Sequence, residues 1–71
     1  MTQQDVLDLI ACSLNVARAK AKKGTLDKWQ SGFHTGQVAG YMNLGFSPEV
    51  NAAAANAQAE INQLFTAAQQ Q

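Results

Sequence analysis

The chain has 71 residues, room for one domain and no more. Five basic and five acidic side chains cancel, 14% of residues are charged and 46% are hydrophobic; this balance argues against the strongly basic footprint of typical nucleic-acid binders and points to apolar surface covered by a second copy or a partner. Cys12 is the single cysteine, so no disulfide can form within the chain. No apolar run approaches the roughly 18 residues of a membrane span, and the N-terminus carries neither the basic flank nor the cleavage pattern of a signal peptide; the expected compartment is the cytoplasm, with no membrane partner.

The first helix is expected from about Gln3 to Lys23. Thr2 is its cap, with Asp5 three residues on as a short-armed capping box, and Met1 and Val6 in the staple positions. Asp5 and Asp8 lie near the positive end of the helix dipole and Lys20, Lys22 and Lys23 near the negative end, while Gly24 stops the helix. Val6, Leu7, Ile10, Leu14, Ala17 and Ala21 make the main apolar face; Leu9, Cys12 and Val16 form a second strip beside it.

The second helix is expected from about Leu26 to Leu44, with Thr25 as cap. Gly32, Gly36 and Gly40 stand four apart, one stripe on one face. Each interior glycine costs about 0.8–1 kcal/mol relative to alanine, so a close approach of something should offset three of them. Trp29, Phe33, Gly36, Gly40, Leu26 and Leu44 fall in one sector of about 80°, with Gly32 at its border. Large aromatics and missing side chains alternate there, which makes ridges and hollows for another helix. Three readings stay open: packing against a helix of the same chain, a close subunit contact, or a small-ligand groove. Behind this face, His34, Val38 and Met42 form a weaker second strip beside Tyr41, and Val38 and Met42 are taken as surface for oligomerisation or a partner.

Phe46-Ser47-Pro48-Glu49 starts the third helix: Ser47 caps, Pro48 takes the first helical position and Glu49 favours the dipole. The helix should run to about Ala68, leaving Gln69, Gln70 and Gln71 frayed. Val50, Ala54, Ala57, Ile61, Leu64 and Ala68 make a heptad seam with Phe65 beside it, and the glycine face of the second helix is its expected neighbour. Short connections make adjacent helices antiparallel. The expected fold is all-α, a single domain over residues 1–71: a three-helix bundle, or a hairpin whose third helix goes to a second subunit, oligomeric through close-packed Gly and Ala faces.

No catalytic set is legible. His34 and Cys12 lie on different helices without the spacing of a dyad, one histidine and one cysteine do not make a zinc site, and four of the five acids fall near helix starts, where capping explains them. No phosphate-cradling loop is present, and Gly32–Gly36 lies mid-helix. No cofactor is expected. All five basic residues, Arg18, Lys20, Lys22, Lys23 and Lys28, fall within eleven positions, so the corner between the first two helices is positive. It reads either as a solvated helix end or as a patch for an anionic partner, with Trp29 beside Lys28 able to stack a base if it is not buried. The run Leu14 to Arg18, LNVAR, is similar over five residues to the small hairpin proteins that control plasmid copy number by binding paired RNA loops; the glycines and the third helix depart from that pattern.

The functional expectation is a non-enzymatic helical interaction protein that self-associates, first of all as a dimer, and binds a partner protein to inhibit or sequester it. Small accessory proteins of phages and plasmids share this size and economy. The interface is expected at Trp29, Gly32, Phe33, Gly36, Val38, Gly40 and Met42. The alternative is a nucleic acid or nucleotide held at Arg18, Lys20, Lys22, Lys23 and Lys28.

Overall fold

A computed structural model describes residues 1–69. It holds three helices: α1, Gln3–Lys23; α2, Lys28–Asn43; and α3, Pro48–Gln69. They run up, down and up in one bundle, with no strand among the described residues.

Local chemistry sets the ends. Thr2 Oγ1 accepts from the Asp5 amide at 3.2 Å while the Asp5 carboxylate accepts from the Thr2 amide at 2.9 Å, the reciprocal capping box. Gly24 ends α1 at φ +76°, a left-handed conformation, and the Gly24 and Thr25 amides return to Ala21 and Lys20 carbonyls. Ser47 Oγ accepts from the Val50 amide at 3.2 Å at the start of α3. At α2 the expectation is corrected. The cap is Asp27, whose carboxylate accepts from the Gln30 amide at 2.8 Å. Thr25 instead donates its hydroxyl to the Lys20 carbonyl and belongs to the α1 terminus. Leu26, in the connection, is buried at the end of the bundle. Gln69 closes α3 rather than fraying; the rest of the expected tail, Gln70 and Gln71, lies outside the described residues.

One core cluster joins Val6, Ile10 and Ala17 of α1, Leu26, Val38 of α2, and Val50, Ala54, Ala57 and Ile61 of α3. The expected faces of α1 and α3 are therefore the ones that pack. The face of α2 is reversed. Ser31, His34 and Val38 point inward, with Tyr41 and Met42 packed half-buried beside them, whereas Trp29 is 69% and Phe33 47% exposed. The three helical glycines also face out: a Cβ added at Gly32, Gly36 or Gly40 would meet no atom of another helix within 4 Å. The reason is volume. Half of the α3 seam is alanine, so the facing helix comes close at Ala54 and Ala57 and needs medium-sized side chains to fill the layer. Glycine there would leave voids, and tryptophan would wedge the helices apart.

Candidate functional site

The reversal leaves an outward face on α2 made of Trp29, Gly32, Phe33, Gly36 and Gly40. Val38 and Met42 leave the expected interface, because Val38 has no exposed surface and Met42 packs against the core. The other five candidates are exposed together on one side. Trp29 and Phe33, one helical turn apart, stack with ring centroids 5.7 Å apart and planes 6° apart. With Lys28 and Gly32 they line a shallow apolar recess. From Trp29 to Pro48 the sequence has no Asp, Glu, Lys or Arg. A solvated helix face normally carries charge; this one offers stacked aromatic rings, bare backbone and amides.

Beside this face runs the α1–α2 groove, lined on the α1 side by Leu9, Cys12, Val16 and Lys20 and on the α2 side by Phe33, Gln37 and Tyr41. Leu9 and Val16 are 37% and 40% exposed, so the second strip of α1 does face solvent. Cys12 and His34 border the same groove. Both ring nitrogens of His34 are engaged elsewhere: Nε2 lies 2.9 Å from Lys20 Nζ and Nδ1 lies 3.3 Å from Gln37 Oε1. The imidazole has no nitrogen left for the thiol. Among the described residues no three His, Cys, Asp or Glu side chains come together as metal ligands.

The basic corner is divided. Arg18 forks onto Glu60, Nε to Oε2 and Nη2 to Oε1 at 2.8 Å. That hydrogen bond holds the guanidinium pKa above its ordinary value and the Glu60 carboxyl below its own. Lys20 turns to Gln30 and His34. Lys22, Lys23 and Lys28 make no side-chain hydrogen bond or ion pair among the described residues and supply the patch that remains.

Charge also separates along the bundle. Asp5, Asp8 and Glu49 sit at the end where α1 and α3 begin; Glu49 reaches Gln3 of α1 there. Lys20, Lys22, Lys23 and Lys28 sit at the other end, with Asp27 among them. The molecule is 38 Å long, so the two groups are far apart on the scale of ionic screening, about 8 Å at physiological salt.

The chain matches no known protein family, no curated protein and no solved structure at a significant level. No helix among the described residues is long and apolar enough to cross a membrane.

Sequence reasoning named the face-forming residues but left open whether they pack within the chain or meet another molecule, and it missed the buried polar group of Ser13, Ser31 and His34. A local signal existed. His34 and Val38, at i and i+4, share a side with Ser31 and Met42, and small polar side chains fit a close helix contact once their hydrogen bonds are met.

Proposed function

We propose that this chain is a non-enzymatic interaction protein and that its working surface is the outward face of α2. The observation that carries the reading is the exposed Trp29–Phe33 stack on a helix face with no charged residue beyond Lys28 at its start. An intrachain role for that face is set aside by its exposure, which leaves contact with another molecule as the use for three glycines that each destabilise the helix. Occupying a partner's surface is what such a face permits, so inhibition or sequestration of a protein is the mode of action we favour, with self-association as one form of the same contact.

The test is the double variant Trp29→Ser, Phe33→Ser. Diluted protein should keep its helicity and melt only a few degrees lower, because both side chains lie outside the core. Its associations should disappear, whether higher mass by light scattering or a specific protein retained by tagged wild type and lost by the variant. A wild type and variant identical in mass and in retained partners would remove the reading.

A second reading has one observation in its favour. Trp29 is exposed beside Lys28, at the end of the bundle that also holds Lys22 and Lys23, and a ring face with a cation is the combination that holds unpaired bases. If nucleic acid binds there, Lys22→Glu with Lys23→Glu weakens it and flattens its salt dependence; binding that both changes leave intact would sink this reading.

A further inference from the structure

We propose that the occupant of the α2 face is a second copy of this chain, docked antiparallel about a twofold axis that passes beside Gly36. This rests on the reading of that face as a contact surface and adds what covers it.

The first support is self-complementarity. Gly36 is the middle glycine of the three and lies at the midpoint of α2. A perpendicular twofold axis there sets Gly36 against its own copy and Gly32 against the copy's Gly40. It brings Trp29 to the turn at Asn43 and Leu44, where Leu44 is 54% exposed, and lays Phe33 over Ala39 and Gly40. Each bulky outward side chain meets either a hollow or another exposed apolar group, which a same-patch dimer requires. An axis at Gly32 would set Gly36 against Lys28 and carry Gly40 past the start of the copy's α2, and an axis at Gly40 would carry Trp29 and Phe33 past its end.

The second is charge. Lys28 at the edge is the one charged residue of α2, and the axis at Gly36 sets it against the copy's Leu44, so a copy meets no like charge across the face. At its margins the molecule is polarised. Asp5 and Lys23 lie at opposite ends of the α1 strip that carries Cys12 and Val16 and borders α2. Antiparallel docking brings the lysine end of each copy beside the carboxylate end of the other, twice. Parallel docking would crowd lysines against lysines and carboxylates against carboxylates.

The experiment is cysteine cross-linking in a Cys12→Ser background. Gly36→Cys, Gly32→Cys and Gly40→Cys are made separately, and the last two are also mixed. The space over each glycine is open, so the variants should fold, which circular dichroism checks. Under mild oxidation Gly36→Cys should become mainly a disulfide-linked pair. Gly32→Cys or Gly40→Cys alone should not, because eight residues along a helix separate each from its equivalent by about 12 Å, beyond the roughly 7 Å that a disulfide spans. The mixture should pair. In parallel, wild-type mass by light scattering should rise from 7.6 kDa toward twice that with concentration, while Trp29 emission moves to shorter wavelength.

Cross-linking of all three single variants would mean parallel docking and overturn the proposal. So would a wild type that stays monomeric at every concentration. In that case a protein retained by wild type and lost from Trp29→Ser, Phe33→Ser would keep the contact surface and exclude only the second copy, and enrichment at 260 nm in the purified sample would pass the face to nucleic acid.

Discussion

Lys20 Nζ stands 2.9 Å from Nε2 of His34, bridging α1 and α2 at a ring only 3% exposed. A lysine ammonium has donors alone, so Nε2 accepts and the ring hydrogen sits on Nδ1, facing Gln37 Oε1. Ser13 donates its hydroxyl to the same oxygen at 3.3 Å, and no buried side-chain nitrogen or oxygen among the described residues lacks a partner. Lys20→Met keeps the stem and removes the donor. With His34 Nε2 left buried and unpaired, the loss should be about 1–3 kcal/mol, a drop in melting temperature of about 4–8 °C per kcal/mol. An unchanged thermal melt would mean that the bridge contributes nothing.

The orientation of α2 can be tested by a paired substitution. Val38 is fully buried, so Val38→Ser removes apolar contact and buries a hydroxyl; about 2–4 kcal/mol should be lost, much of the stability of a domain this small. Phe33→Ser, five residues away on the outer side, removes a ring that is 47% exposed and should cost less, about 1 kcal/mol. Urea midpoints of the two variants decide between the faces: the reverse order would place the aromatics inside.

The glycines predict effects of opposite sign in the two states of association. Gly36→Ala fills open space within the chain, so the isolated molecule should gain about 0.8–1 kcal/mol from helix propensity. The same methyl stands at the proposed twofold contact, where it should weaken pairing. Melting temperature measured in dilute solution should rise while the concentration needed for the heavier species increases. A variant that gains stability and keeps its association unchanged would show that Gly36 lies away from the contact.

The Arg18–Glu60 fork links distant parts of the sequence at the surface. The hydrogen bond from Arg18 lowers the Glu60 pKa in the folded state. The sign follows: the stabilisation is present above the carboxyl's unfolded value and is lost as pH falls through the lower folded one. Glu60→Gln should melt slightly below wild type at neutral pH and low salt. The two melting curves should converge as pH drops below the ordinary glutamate range of about 4.3, and added salt should narrow the gap at neutral pH. A gap that is constant from pH 7 to pH 2 would assign the effect to packing rather than to charge.

Much of this fold is written locally. Thr2 with Asp5, Gly24, and Ser47 before Pro48 each fix a helix end through groups a few residues apart, and the 4-3 spacing from Val50 to Ile61 fixes the inner face of α3. The facing of α2 is not local. Judged by side-chain type, Trp29 and Phe33 outrank Ser31 and His34 for the interior; His34 can be buried only because Lys20 of α1 and Gln37 meet its two nitrogens. Likewise the loss of Arg18 and Lys20 from the basic patch depends on Glu60, Gln30 and His34, whose approach no sequence spacing reveals. Five members of the candidate surface, Trp29, Gly32, Phe33, Gly36 and Gly40, are thus legible in the sequence, whereas Val38 and Met42 turn inward and the direction of the face stays open until the partners of His34 are known.

The bundle measures 38 × 16 × 15 Å, and its radius of gyration of 12.0 Å exceeds the roughly 11 Å typical of a chain this long. Such a short rod experiences more drag than a sphere of equal mass, so a single chain elutes from a sizing column ahead of its weight and imitates a larger species. Pairing flank to flank would broaden the rod without lengthening it. In sedimentation velocity the frictional ratio should then fall as the mass doubles, whereas stacking tip to tip would raise it; hydrodynamics alone distinguishes the two modes of growth.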